Sequence, residues 1–252
     1  MNGEPDSPWS RVRRASLAAH VAPLAAFLVV GALGGEGEAR LWVYPVQAIV
    51  GLAVVGWFWP SYPWGTLRPG MIPWILGAAI LGIACWVAPG GAFLRFGAPG
   101  WMETRLPLLD RTWAEVTGWV DRSQGFDPGA YAGTWLPVWT GWALRWLRLA
   151  VTVPLVEEIC WRGFVMRLVA NPDRPFEENP FGQHRWKSYF LVTALVTLAH
   201  RPEDWIAAWI FGSLVYGVAV RTKSLAACVL THAVANVLLG IVIASTRQWG
   251  YW

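Results

Sequence analysis

Charge is the first thing this chain lacks. Only 14% of its 252 residues are Asp, Glu, Lys or Arg, against about a quarter in a soluble domain. That excludes an ordinary water-soluble globule. Cysteine is scarce too. Cys85, Cys160 and Cys228 share no framework spacing and all fall in apolar stretches, so neither a disulfide scaffold nor a zinc finger is encoded. No basic cluster is interleaved with aromatics. The net charge of +4 and pI near 9.2 therefore suit positive cytoplasmic loops, and no nucleic-acid partner is expected. No internal repeat is visible, which counts against an inverted-repeat transporter.

What remains is apolar: 55% hydrophobic residues, with a mean hydropathy of +0.38. The runs 15–33, 41–59, 71–89 and 224–244 have the length of a membrane span, about 18 residues or more. Two more, 188–200 and 205–220, are shorter. The expected fold is all-α, a polytopic integral membrane helical bundle of seven to eight transmembrane helices. Many of the 20 Trp lie near run ends, among them Trp42, Trp57, Trp59, Trp74 and Trp86. They read as an aromatic belt at the headgroups, with none assigned to a ligand. Arg11, Arg13 and Arg14 ahead of the first run resemble a secretory signal. That run is long and 34–39 offers no small-x-small cleavage site, so an uncleaved first span is expected.

The chain divides into residues 1–134, N-terminal transmembrane helices and an interfacial connector, and residues 135–252, which hold the chemistry. In the first part His20 and Gln47 are the notable polar groups. A lone His in such a run reads as a helix–helix hydrogen bond. Residues 101–122 place apolar side chains at near-helical spacing among charges, which predicts a helix lying at the interface.

In the second part polar residues stand where they are costly. They are Glu157, Glu158 and Arg162, then His200, then His232 and Asn236. A charge at mid-bilayer costs roughly 2.5–3.5 kcal/mol on insertion scales, so such groups face a cavity and work. Arg148 and Arg167 are 19 residues apart, about 28 Å along a helix. If each snorkels to one interface, the two glutamates fall near the middle. His200 lies about 18 Å beyond Ser188 and His232 about 13 Å beyond Lys223 at helical rise, so all three segments can meet. Pro154, one turn before Glu157, should bend its helix or free a carbonyl.

Spacing also sorts the residues. Glu158 and Arg162 share a helix face as a structural ion pair, and His232 and Asn236 share another. Glu157 points about 100° away and has no local partner. A carboxylate beside an imidazole can take a proton from water, and a second imidazole with an amide can hold an oxyanion. Glu157, His200 and His232 can alternatively hold a zinc ion as a three-ligand open site. The residues alone leave both versions open. A thiol nucleophile at Cys160 or Cys228 is disfavoured, because nothing in the sequence lowers a thiol pKa there.

The pattern Glu157-Glu158-x-x-x-Arg162, a run ending in His200, and His232-x-x-x-Asn236 resembles the CAAX protease and bacteriocin-processing (CPBP) intramembrane protease family. That family includes the Ras-converting CAAX endopeptidase. Its second motif, F-x-x-x-H, carries Val196 in place of the Phe. The resemblance covers residues 135–252. It implies that Glu157 and His200 activate water and that His232 and Asn236 stabilise the oxyanion, with metal dependence open. The Glu157–Phe164 stretch and the tail from Thr246 are similar to a bacterial subgroup associated with exosortase protein sorting.

The expected function is an intramembrane endopeptidase cutting near the C-terminus of a membrane-tethered or lipidated protein or peptide. The partners expected are that substrate, the lipid bilayer and a protein-sorting machinery, in the bacterial inner membrane. The rival reading is a non-catalytic transporter or sorting-complex partner that keeps the motif for binding.

Overall fold

The structure, a computed structural model, describes residues 16–33, 39–134 and 137–251. The Arg11–Arg14 cluster, residues 34–38 and Trp252 lie outside the described residues. Apolar runs form helices where they were expected. α1 (Ser16–Ala32) packs on α2 (Arg40–Trp57), and α3 (Ile72–Phe96) follows after a Pro-rich turn.

The connector departs from expectation. In place of an interfacial helix over 101–122 it forms a two-stranded hairpin, β1 (Arg105–Leu106) with β2 (Arg111–Thr112), and a short helix α4 (Trp113–Thr117). Local chemistry explains this. Pro107 has no N–H to give a helix. Asp110 adopts φ 49°, a left-handed conformation that Asp tolerates in a turn. Thr112 and Glu115 then make a capping box that starts α4, and Gly118 at φ 80° ends it.

Next comes one continuous helical rod with two wide turns. α5 (Val138–Leu147) runs into a π segment (Arg148–Thr152), α6 (Val153–Glu158), a second π segment (Ile159–Val165) and α7 (Met166–Ala170). π turns inside helices concentrate at functional sites. α8 (Trp186–Leu198), α9 (Trp205–Thr222) and α10 (Leu225–Thr246) complete the bundle.

The two larger apolar clusters among the described residues hold it together. One joins Ile75 and Ala79 of α3 with Val192, Val215, Ala235 and Leu239 of the last three helices. The other joins Phe27 of α1, Val55 of α2, Val156 and Ile159 of the rod, and Leu225 of α10. Large apolar side chains also face outward. Leu28, Ile49, Ile80, Leu81 and Ile241 are each more than half exposed, a surface suited to lipid.

Four helices among the described residues are long and apolar enough to cross a membrane: 40–57, 69–96, 202–222 and 225–246. Ser16–Ala32 and Trp186–Leu198 are apolar but shorter. This is an integral membrane bundle with fewer full-length spans than the seven to eight expected. The rod makes up part of the difference. It carries Arg145, Arg148, Glu157, Glu158, Arg162 and Arg167, and its π turns break its regular pitch.

Candidate active site

The geometry of the site begins with a missing hydrogen. In a π turn each N–H reaches the carbonyl five residues back, and Val153 bonds the Arg148 carbonyl in this way. The Leu149 carbonyl would take the next N–H, that of residue 154, which is proline and has none. Nδ2 of Asn236 donates to it instead, at 2.8 Å. Pro154 thus frees a carbonyl, as expected, and α10 uses it.

One turn earlier on α10, His232 donates from Nδ1 to Glu158 Oε1 at 2.9 Å. The same oxygen accepts from Arg162 Nη1 at 3.3 Å, while Arg162 Nε stands 3.2 Å from Oε2. That second contact is electrostatic only, because the N–H is not aimed at the oxygen. Arg162 Nη2 donates to the Gly212 carbonyl at 3.1 Å. Glu158, Arg162 and His232 are 1%, 2% and 7% exposed. The pair read as purely structural therefore also holds His232. A carboxylate accepts only, so the proton of a neutral ring sits on Nδ1 and Nε2 is left for the cavity.

His200 is oriented differently. Its Nδ1 donates to the Val196 carbonyl at 2.7 Å, one turn back, and its own carbonyl accepts from Trp205 Nε1 at 3.1 Å. A neutral His200 so held keeps an Nε2 lone pair. Glu157 is half-buried and makes no hydrogen bond or ion pair among the described residues.

All four of these side chains, Glu157, His200, His232 and Asn236, line one cavity of about 340 Å³. Phe27 of α1 and Trp86 of α3 line it as well. They do so because α3 packs directly on α9 and α10, and α1 on the rod.

Residues 139–238 match the family described as type II CAAX prenyl endopeptidase Rce1-like. Over that stretch the chain is similar to the CAAX protease (CPBP) family. No curated protein and no solved structure matches it.

Val196, which stands where the similar family has Phe, packs beside Gly212. Val196 is buried, and its Cγ1 lies 3.6 Å from where a Cβ on Gly212 would stand. The Gly212 carbonyl in turn accepts from Arg162.

Other expectations need correcting. Neither arginine snorkels. Arg148 lines the cavity, and Arg167 donates to the carbonyls of Asn179, Gly163 and Glu177. Convergence comes from packing, not from those anchors. His20 makes its hydrogen bond within its own helix, to the Ser16 carbonyl at 2.8 Å. Glu157, His200 and His232 line the same cavity but do not stand together as a three-ligand cluster. Among the described residues no three His, Cys, Asp or Glu side chains come together to hold a metal ion.

The sequence reading missed Trp86 and Asp204. Trp86 Nε1 donates to Asp204 Oδ1 at 3.1 Å, and Arg122 Nη2 pairs with the same oxygen at 3.0 Å. The Trp86 ring meets His200 edge-on, centroids 5.5 Å apart. Trp86 had read as a belt residue. The available signal was an Asp four residues after His200 at the start of the next helix.

Proposed function

We propose that this protein is an intramembrane endopeptidase that hydrolyses a peptide bond near the C-terminus of a membrane-tethered or lipidated protein or peptide. The observation that carries the reading is Glu157, a carboxylate without a hydrogen bond or ion pair among the described residues, sharing a cavity with His200, His232 and Asn236. Glu157 takes a proton from a water that the His200 Nε2 lone pair orients. The water oxygen bonds to the scissile carbonyl carbon, whose oxygen becomes an oxyanion. A second proton on His232 Nε2, balanced by Glu158, and the remaining N–H of Asn236 Nδ2 donate to that oxyanion. Collapse breaks the C–N bond, and the leaving amine receives the proton held by Glu157.

The tetrahedral oxyanion is the species that the two donors match better than the substrate carbonyl, which is what acceleration requires. Substrate enters from the bilayer or its interface. The likeness of the Glu157–Phe164 stretch and the tail to exosortase-associated proteins points to a sorting machinery of the bacterial inner membrane as partner.

The test is processing of a membrane-tethered reporter in cells. Glu157→Ala and His200→Ala should each leave it uncut while the protein accumulates normally. Undiminished processing by both variants would sink the reading, and gradient-coupled uptake into vesicles would favour the transporter rival.

A further inference from the structure

Gln47 is a polar residue of α2 that the reaction does not use. It is 4% exposed, and its Nε2 donates to the Phe27 carbonyl at 2.9 Å. A Cβ at Gly31 would stand 2.4 Å from that nitrogen, so only glycine leaves room for the amide. Held this way, Gln47 Oε1 accepts Arg148 Nε–H at 3.0 Å. The Arg148 guanidinium also lies over the Phe27 and Tyr44 rings, 5.1 and 4.8 Å from their centroids. One edge and the ring-facing surface are therefore occupied. Nη1 and Nη2 make no hydrogen bond among the described residues, and Arg148 lines the cavity.

A counter-ion role does not account for this. Of the other two arginines lining the cavity, Arg162 is spent on Glu158 at 3.2 Å and Arg201 on Glu203 at 2.6 Å. Arg148 has Glu157 within electrostatic reach, yet no ion pair joins them. A guanidinium held away from bulk water without a carboxylate is costly. Its pre-oriented fork matches a carboxylate in two parallel hydrogen bonds.

We propose that Arg148 is the anchor for the free C-terminal carboxylate of the substrate peptide. A cation selects that end of a chain over the N-terminal amine. A cavity of about 340 Å³ takes a short chain end rather than a long internal segment. The position of Arg148 near Glu157 puts the anchored carboxylate close in sequence to the bond that is cut. This inference rests on the endopeptidase reading and adds to it the residue that sets its polarity.

The experiment uses full-length protein in phosphatidylcholine nanodiscs and two farnesylated CAAX peptides, one ending in a free acid and one in a primary amide. Binding is measured with Glu157→Ala protein, and cleavage with the unaltered chain. The acid should bind roughly ten- to a hundredfold more tightly than the amide, the worth of a charged hydrogen bond. Arg148→Gln should abolish the difference, and Arg148→Lys should restore part of it. Equal binding of acid and amide, or binding of neither, overturns the anchor. That comparison needs no change at Arg148, so a misfolded variant cannot obscure it. Equal cleavage of both peptides overturns the anchor and leaves the endopeptidase reading standing. Acid-selective binding lost in Arg148→Gln, with neither peptide cut, keeps the anchor and removes that reading.

Discussion

Asn236 and Leu149 lie 87 residues apart in sequence and are joined by a 2.8 Å hydrogen bond from side-chain amide to backbone carbonyl. The bond exists because proline at 154 leaves that carbonyl without its π-helical donor. The wide turn in the rod is therefore part of the site. It ties the α10 motif to the helix that carries both glutamates.

Pro154→Ala supplies the missing N–H and lets the rod satisfy Leu149 internally. Asn236 should lose its tether and cleavage should fall about 10- to 100-fold, as for other small misplacements of a catalytic group. Rate constants on a lipidated peptide check this. An unchanged rate would mean that the tether does not position Asn236.

In the proposed mechanism Asn236→Ala removes one of the two oxyanion donors. kcat should drop by roughly 10² to 10³, with KM held, because the contact forms only as the oxyanion does. Steady-state kinetics separate the two parameters.

Arg162→Met leaves Glu158 buried without its cation and should cost about 3–5 kcal/mol of stability. Adding Glu158→Leu removes the stranded charge. The double variant should regain much of the lost thermal stability in detergent yet stay inactive, since His232 has lost its acceptor. Recovery of activity with stability would show that Glu158 does not orient His232.

Val196→Phe restores the family's aromatic at a position that is 4% exposed and packed beside Gly212. Overpacking should cost about 1–3 kcal/mol, read as a lower unfolding temperature.

The helices were legible in the sequence because apolar runs of span length leave few alternatives, and α1, α2, α3 and α10 stand close to where those runs lie. The polar residues that line the cavity were legible because charge in such a run is conspicuous. What escaped was interior use of residue types that are ordinary elsewhere. Trp86 resembles any belt tryptophan until its N–H is seen on Asp204. Arg148 resembles a snorkelling arginine until Gln47 turns it inward. The connector misled because helical spacing over 101–122 says nothing of Pro107 or the left-handed turn at Asp110, where local backbone chemistry overrides periodicity.

The most direct measurement is cleavage of a farnesylated CAAX peptide by purified protein in liposomes, comparing the unaltered chain with Glu157→Gln, product identity being read by mass spectrometry. Glu157→Gln preserves size but cannot take the proton from water. The account predicts a single C-terminal fragment from the unaltered chain and a loss of about 10³-fold or more in the variant, with the same unfolding temperature. A Glu157→Gln protein that makes the same fragment at the same rate would contradict it.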